Sequence, residues 1–474
     1  MTRSKLLCVS LALTVGILTY ATAQGPLTPP PGPPAPVYKT LAQIEPRTDV
    51  ATLAGDANAM IVIAQPGSYF LSGNITISGT RVGIAIAAND VTLDLQGFTI
   101  NGSATAPAGI DFRGTLRSCR VHNGHIQNLP AGIGVRASGS GNRISQAAFE
   151  DLGIRSCDKG FDLDPVHDVR VERARVSNTT KNGIDLNTRG TVVNSQVDSV
   201  AGVSDESIAG IVADVVTDCQ VSNIAGGFNS TGILAAQVTN CRLRSIGNSS
   251  TSTCVGIEGV QVRGCSVDTI TGNQVTGISG RQVIESRVTG LSQTGGTAAS
   301  LANGIQGTVV LDCHVTSLSA AVSTNLYGIA EYEECSRCRV GAISAMGGGA
   351  TAYRPSGSSS RTIDCGASSI TLNVAVDLAN STGALIRGCR FNLGGSGVGI
   401  ACNGTDIRIE DNTITGASVG INAASSSTAG LIVRNRVTDC TVPISFNTAT
   451  WQVGPRISAK GDITSTNPWA NFID

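Results

Sequence analysis

From residue 60 onward, the apolar residues of this chain come in short runs separated by polar and turn-forming positions. Residues 60–63, 69–71, 75–77 and 91–95 are such runs, and Gly, Asn or Asp lies close to the ends of each. In the run 91–95 apolar and polar residues alternate, which is the pattern of a strand with one buried face. The pattern predicts many short strands and an all-β fold.

A glycine followed by an apolar residue recurs in this part of the chain at intervals of 21 to 28 residues. Within each repeat a second run follows, such as residues 216–221, and a third apolar position such as Ile224 closes it. Three short strands in so few residues form one coil of a solenoid whose coils pair about 4.8 Å apart. We predict a right-handed parallel β-helix of about 15 coils, with the glycine at a corner where φ is positive. The repeating glycines are Gly109, Gly132, Gly160, Gly183, Gly210, Gly232, Gly256, Gly277, Gly304, Gly328, Gly399 and Gly420.

Residues 1–23 have the features of a secretory signal peptide. Arg3 and Lys5 precede a mostly apolar stretch, and Ala21 and Ala23 supply the small residues of a cleavage site. No later stretch of the sequence is apolar enough to span a bilayer. We therefore expect a secreted or cell-envelope protein that has no membrane span once the signal is removed.

The segments that flank the repeat lack its pattern. Residues 24–36 are rich in proline, which fixes φ and removes amide donors, so they predict an extended linker. Residues 37–58 begin with apolar residues at helical spacing and predict a short capping helix at the N-terminal end of the solenoid. The parallel β-helix is expected over residues 59–450, and residues 451–474 are expected to cap its other end.

The composition agrees with a narrow, regular interior. Charged residues make up 14% and aromatic residues 4% of the chain, whereas about a quarter of an ordinary globular domain is charged. Small and branched aliphatic side chains must therefore fill the core. The net charge of −1 gives no reason to expect nucleic acid or an anionic membrane as a partner.

The cysteines follow the repeat. Of the 14 cysteines, Cys8 lies in the signal, which leaves 14 − 1 = 13. Most occupy one position, two residues before an apolar or small residue, so they point inward, where Cys behaves as a small hydrophobe. The spacing of stacked coils also permits disulfides, and Cys335 with Cys338 forms a lone C-x-x-C, a weak metal or redox motif. We predict a structural ladder of Cys219, Cys241, Cys265, Cys313, Cys338, Cys365 and Cys389, with Ser195, Ser286, Asn412 and Asn435 at equivalent positions.

The densest group of ionisable side chains surrounds Asp162. Asp162 and Asp185 each follow a repeat glycine by two residues, so we expect them to face outward one coil apart. Stacked carboxylates repel each other and need a counter-charge. That charge is either Ca²⁺, with Asp164 as a further ligand, or a basic neighbour such as Arg170 or Arg189. No other cofactor is predicted.

These repeats resemble the secreted right-handed β-helix proteins of the pectate-lyase-like superfamily. Residues 91–100, and the proline-rich lead-in before residues 39–46, are similar to the opening coils of uncharacterised bacterial members. The resemblance implies polysaccharide lyases, hydrolases and epimerases, together with non-catalytic surface proteins.

The resemblance also implies roles for residues near Asp162. Lyases of the superfamily hold Ca²⁺ against a uronate with acidic residues, while a basic residue abstracts a proton from the sugar. The segment 164–168 is similar to the Asp-Pro-His-Asp box of alginate C5-epimerases, with Val166 inserted. The resemblance therefore implies catalytic roles for Arg170, His167 and Asp168.

Two functions stay open. We favour an exported β-helix that binds a glycan or a cell-envelope component without catalysis, because the four histidines are scattered and no catalytic motif is intact. The alternative is a polysaccharide lyase or C5-epimerase that acts on uronate polymers with Ca²⁺ at Asp162 and Asp185. Loops rich in Gly, Ser and Thr are expected to lie along one long face, where binding commonly resides. These loops are residues 247–253, 292–303, 319–325 and 344–360.

Overall fold

Parallel strands stacked in register dominate the computed structural model of the chain. It describes residues 47–137, 143–187, 189–203, 206–247, 253–295, 301–321, 325–346, 349–368, 373–424, 428–458 and 466–474. Residues 48–474 form one compact unit, a right-handed parallel β-helix of about 16 turns. The predicted fold class and the approximate number of coils are confirmed.

Each coil contributes strands to three faces, which we call A, B and C in the order in which a coil visits them. Face A is formed by Ala59–Ile63, Val82–Ile86, Ala108–Phe112, Ile184–Asp185, Asn325–Tyr332, Ala350–Pro355, Val374–Thr382, Val398–Thr405, Val419–Ala423 and Val442–Phe446. Five strands run without a break from face A into face B, namely Ile208–Thr217, Ser230–Thr239, Thr253–Arg263, Gln274–Ile284 and Leu301–Leu311. Two long strands, Arg120–Arg136 and Arg143–Asp162, pass from face B through face C to face A.

Faces B and C are built from shorter strands. Face B contains Thr48–Asp49, Gly67–Phe70, Val91–Asp94, Thr115–Arg117, Val166–Glu172, Gly190–Val193, Glu334–Ser336, Arg361–Ile363, Leu385–Arg387, Ile407–Glu410, Gly430–Val433 and Trp451–Val453. Face C contains Ile75–Thr76, Thr99–Asn101, Arg175–Thr179, Gln196–Gly202, Gln220–Gly226, Arg242–Gly247, Ser266–Gly272, Arg287–Gln293, His314–Thr316, Leu318–Ala320, Arg339–Val340, Ile343–Ala345, Gly366–Ser368, Arg390–Asn392, Thr413–Thr415, Arg436–Thr438 and Asn471–Ile473. Arg456–Ile457 pairs with the last of these strands.

The core is a set of aligned aliphatic side chains. On face B, Val216, Val238, Val262 and Val283 are partners in successive strands, and all four are buried. Equivalent positions in neighbouring coils thus pack on one another along the axis. Burying such a side chain contributes about 1.5–3 kcal/mol. A few aromatic side chains are also fully buried among the aliphatic ones, and the rings of Phe112 and Phe161 both pack edge-on against Phe149.

The repeating glycines do not lie at corners, so that prediction was wrong. Gly183 and Gly210 lie in face A, and neither has a positive φ. A Cβ atom on Gly183 would lie 2.6 Å from the carbonyl oxygen of Gly210 and 2.5 Å from a methyl group of Val197. The close approach of neighbouring coils therefore requires glycine at this position of face A, and we call these aligned residues the glycine row. After Gly109, the next residue of the glycine row is Gly134 rather than the predicted Gly132, since a Cβ on Gly109 would lie 2.9 Å from the Gly134 carbonyl oxygen.

Positive φ angles occur instead at the corner between faces B and C, and at a second position within the face C strands, for example at Asn223 and Ser245. Asp218, Asn240 and Gly264 occupy this corner in three successive coils, with φ of 54°, 54° and 65°. Asn and Asp tolerate the left-handed region better than other non-glycine residues, which explains their frequency here. The residue after each corner residue then points into the interior.

The segments at the two ends of the solenoid were predicted to cap it. Residues 37–46, which hold most of the predicted capping helix, lie outside the described residues, and residues 47–58 contain a 3₁₀ helix, Val50–Thr52. At the other end, Trp451–Val453 extends face B and Asn471–Ile473 extends face C. No helix within the described residues has the length and apolar character needed to cross a membrane.

The four predicted loops do not all lie along one long face of the solenoid. Residues 247–253, 292–303 and 319–325 connect face C to face A, although many of their residues lie outside the described ranges. The segment 344–360 was predicted as one loop, but it contains the face A strand Ala350–Pro355.

Candidate functional site

Asp162 and Asp185 are register partners in adjacent strands of face A. Both are half-buried on the outer surface of the rod. The Nζ atom of Lys159 lies 3.1 Å from Asp162, and the side-chain amide of Asn182 donates to Asp185 at 2.8 Å. The counter-charge for Asp162 is thus a lysine on the same strand.

Arg136 extends this row of charges. It is the register partner of Asp162 on the other side, and its Nε atom donates to Asp111 at 2.8 Å. Acidic and basic side chains therefore alternate along the row before Asp185 is reached. Among the described residues, the group of three metal-type ligands that comes within 4.8 Å consists of thiols and includes none of Asp162, Asp164 and Asp185.

The residues with implied catalytic roles lie on the next face. Arg170, His167 and Asp168 are exposed on the face B strand Val166–Glu172, and the Nε atom of Arg170 donates to Glu172 at 2.8 Å. Asp164 lies at the turn between face A and this strand. The geometry thus separates the acidic pair from its implied base by a corner of the solenoid.

A larger charged cluster, which sequence reasoning missed, lies on face B. Glu150 and Glu172 are register partners, and Arg120 Nη2 lies 2.7 Å from Glu150. Arg173 contacts Asp151 through two hydrogen bonds of 2.7 and 2.9 Å and also contacts Glu172. Arg120 holds the pKa of the Glu150 carboxyl below its usual range, and Arg173 does the same for the pKa of Asp151. These charges neutralise one another.

An elongated groove runs along the corner between faces A and B, and we call it the A–B groove. It has a volume of about 530 Å³ and extends over six successive coils, roughly 24 Å at the usual strand spacing. Its lining carries three carboxylates, from Asp214, Glu258 and Glu331, and the guanidinium group of Arg281. The side-chain amide of Gln306 donates to Glu331.

Small residues make this corner concave. Gly259, Gly280 and Gly307 follow one another in register at the bend. A Cβ atom on Gly307 would lie 2.5 Å from the carbonyl oxygen of Gly280, so a larger residue would push the coils apart. The strands continue through the bend without interruption. Val260 lies beside these glycines, and 50% of its surface is exposed in the groove.

The ladder cysteines lie directly after the B–C corner and are buried. The thiol of Cys241 contacts the carbonyl oxygens of Val216 and Thr239 at 3.7 and 3.3 Å, and the other members repeat this arrangement. The thirteen described cysteines are all unpaired thiols. Burial raises the pKa of Cys157 and of Cys254 to about 12, so these thiols are protonated at neutral pH.

Asparagines continue the ladder at its C-terminal end. The Asn435 side chain donates to the carbonyl oxygens of Ile409 and Val433, at 3.0 and 2.9 Å, and accepts from the Asn412 amide at 3.0 Å. Asn471, which sequence analysis did not include, accepts from the Asn435 backbone in the same manner. Its distance of 36 residues from Asn435 hid it from a search for the repeat.

Cys335 adds a third thiol beside the ladder. The sulfur atoms of Cys335, Cys338 and Cys365 lie within 4.8 Å of one another, and those of Cys335 and Cys365 are 3.7 Å apart. Burial raises the pKa of Cys335, which favours the neutral thiol. The cluster is a continuation of the buried core.

Comparisons with known proteins add similarity at the level of architecture. No protein-family model matches the chain, and no curated protein matches it. The A-module of an Azotobacter vinelandii mannuronan C-5 epimerase is 10% identical, with a TM-score of 0.25, over 77% of this chain and 91% of that one. A tailspike protein variant of E. coli bacteriophage HK620, in complex with pentasaccharide, is 11% identical with a TM-score of 0.24, over 86% of this chain and 72% of that one. Similarity this weak carries no argument about activity.

Proposed function

We propose that this chain is an exported β-helix that binds a polysaccharide along its axis without catalysing a reaction. The observation that carries the proposal is the A–B groove, which is open along several coils and is built on continuous strands. A groove of this form suits an extended polymer better than a compact ligand. The sequence features of a signal peptide support export.

The lining of the groove suits sugars. Carboxylates, an amide and a guanidinium group accept from and donate to hydroxyl groups, and Glu258 and Arg281 are exposed for such contacts. The exposed part of Val260 offers an apolar contact for the C–H surface of a sugar ring. A few polar groups around a small apolar surface are typical of ligand sites, and they are placed here on a scaffold of paired strands.

Among the described residues, the side chains predicted to act in catalysis lie on two different faces, which supports binding over turnover. Asp162 and Asp185 each have a partner of their own, and Arg170 pairs with Glu172 on another face. A catalytic base must reach the proton that it removes while the substrate is held by the metal or the acidic residues. None of these side chains lines the A–B groove.

The proposal is tested by binding measurements with the full mature chain. Soluble neutral and acidic polysaccharides are titrated into wild type and into Glu258→Gln and Arg281→Gln, by calorimetry or affinity electrophoresis. We expect each substitution to weaken binding of the polymer that wild type binds best. Glu285→Gln serves as the control, because Glu285 pairs with Arg263 away from the groove. Equal affinity of all variants would overturn the proposal.

A lyase or C5-epimerase for uronate polymers is the second candidate, and the register of Asp162 with Asp185 favours it. The same preparations are incubated with pectate and alginate in the presence of Ca²⁺ or EDTA. Ultraviolet absorbance detects the unsaturated product of a lyase, and NMR of the recovered polymer detects epimerisation. Activity that is lost in Asp162→Asn and Asp185→Asn would replace binding by catalysis as the function.

A further inference from the structure

Face C carries arginines at every second coil over much of its length. Arg242, Arg287, Arg339, Arg390 and Arg436 all occupy the same outward position, and we call them the arginine stripe. The residues between them in the register are Ser266, His314, Gly366 and Thr413. At the usual strand spacing, the arginines follow one another roughly every 10 Å along a straight line of roughly 40 Å.

The stripe is exposed and unneutralised. All five arginines are exposed, and among the described residues none of them forms an ion pair, whereas Arg263 at the end of a face B strand and Arg337 and Arg434 at the B–C corner do. From Arg287 onward the strands of face C contain no Asp or Glu. Positive charge therefore accumulates on one side of a chain whose net charge is close to zero.

His314 responds to this accumulation. It lies between Arg287 and Arg339 in the register. Burial, and then the positive charges of these two arginines, lower the pKa of His314. The electrostatic effect of the stripe is thus felt at the position between its members.

From Thr289 onward, the neighbouring row on face C is polar and uncharged, whereas Arg244 and Asp268, which precede Thr289 in this row, form an ion pair with each other. It contains the hydroxyl and amide side chains of Thr289, Thr316, Asn392, Thr415 and Thr438. A shallow groove of about 470 Å³ lies over this part of the face and is lined by residues that include Arg339, Arg390 and Asn392. Charged and hydroxyl-bearing side chains therefore run side by side along the axis.

We propose that face C, from Arg242 to Arg436, binds an acidic polysaccharide that lies parallel to the axis of the rod. The arginines contact its carboxylate or sulfate groups, and the adjacent Thr and Asn side chains contact its hydroxyl groups. An extended glycan whose successive units alternate in orientation presents an acidic group on one side at every second sugar, which matches a row with a two-coil period. This surface is separate from the A–B groove and does not depend on it.

The spacing of the charges favours a glycan over nucleic acid. A DNA strand carries one phosphate every 3.4 Å and winds around the helix axis, so a straight row of charges roughly 10 Å apart contacts few phosphates. The polar row beside the stripe also lacks the aromatic side chains on which unpaired bases stack.

The proposal is tested with polyuronate chains, with neutral dextran and duplex DNA as comparison ligands. Wild type is expected to bind polyuronate, to bind it more weakly as salt is raised, and to leave dextran unbound. The triple variant Arg287→Gln, Arg339→Gln and Arg390→Gln is expected to lose affinity about tenfold or more. Circular dichroism verifies that the variant is folded.

The control variant carries Arg120→Gln, Arg263→Gln and Arg337→Gln, and so has the same net charge. Each of these arginines is already paired with a carboxylate, and the control is expected to bind polyuronate like wild type. Equal losses in both variants, or no loss in the stripe variant, would overturn the proposal. Tighter binding of duplex DNA than of polyuronate would overturn the assignment to glycans. Glu258→Gln, which alters only the A–B groove, separates this result from the function proposed above.

Discussion

Arg173 holds Asp151 through two parallel hydrogen bonds, with Nε 2.7 Å and Nη2 2.9 Å from the two carboxylate oxygens. The pair crosses from one coil to the next, so it links backbone segments that are 22 residues apart. Its contribution depends on the ionisation of Asp151, whose pKa Arg173 lowers. The pair therefore gives the rod a dependence on pH.

We expect the rod to lose stability as the pH falls below about 4. A carboxyl group whose pKa is lower in the folded state contributes stability above its ordinary pKa, and this is lost as it becomes protonated. Arg173→Gln should flatten the pH dependence of Tm between pH 5 and pH 2, and it should lower Tm only slightly at pH 7, since the pair is exposed. An unchanged profile in this variant would contradict the assignment.

Lys159→Gln tests the acidic pair. Without the lysine, the negative charge of Asp162 lies beside that of Asp185 without its positive partner. We expect the free energy of unfolding to fall by about 0.5 kcal/mol at low salt. In this variant added Ca²⁺ should raise Tm more than it does in wild type, because the ion can replace the missing charge. Thermal unfolding with Ca²⁺ and with EDTA measures both effects. If Ca²⁺ raises Tm equally in both proteins, the lysine is not the counter-charge.

Asn435→Ala should be among the most destabilising substitutions of a polar residue. It removes bonds to the carbonyl oxygens of Ile409 and Val433 and to the amide of Asn412, all in the interior. The free energy of unfolding is expected to fall by about 2–4 kcal/mol, because these buried carbonyl and amide groups lose their hydrogen-bond partners. Asn422→Ala, at a half-buried outer position of face A, should change stability little. Denaturant unfolding of both variants makes the comparison.

Gly277→Ala and Gly73→Ala separate the role of close approach from that of backbone freedom. A Cβ on Gly277 would lie 2.4 Å from the Gly304 carbonyl oxygen, whereas one on Gly73 would meet nothing within 4 Å. We expect Gly277→Ala to lower stability by about 1–3 kcal/mol through overpacking. Gly73→Ala should be neutral, or stabilising by about 0.4–1 kcal/mol. Similar losses in both would show that packing between coils is not the cause.

The thiols provide a probe of burial. Cys440 is half-buried, whereas the other described cysteines are buried, and Cys254 has a pKa of about 12 because of burial. A thiol reagent at pH 8 should therefore modify Cys440 first in the native protein, and the others only after denaturation. Peptide mass spectrometry over time identifies the order. Early modification of Cys254 would contradict the described core.

The period of the sequence was sufficient to predict the solenoid and the stacking of Asp162 on Asp185, because positions one repeat apart become register partners. It was not sufficient to predict the contact of Lys159 with Asp162, which depends on the path of a side chain over the strand. The role of the glycines was also mistaken. A sequence shows that glycine recurs, but the distance to the carbonyl oxygen of the next coil needs coordinates.

The arginine stripe was hidden by the loops. Its members are separated by 45, 52, 51 and 46 residues, since connections of different length intervene between face C and face A. A search at one fixed period cannot detect such a row, and the net charge of −1 conceals it as well. The A–B groove was missed because the bend that forms it depends on small residues in three dimensions.

The glycine row on face A limits how the gene for this protein can change in length. Duplication or loss of one full coil brings a glycine back against a glycine and preserves the fit on both sides of the junction. Insertion of one or two codons inside a face A strand would instead set a side chain against a carbonyl group of the adjacent coil. The number of coils can therefore change during evolution, whereas the length of the face A strand within each coil cannot.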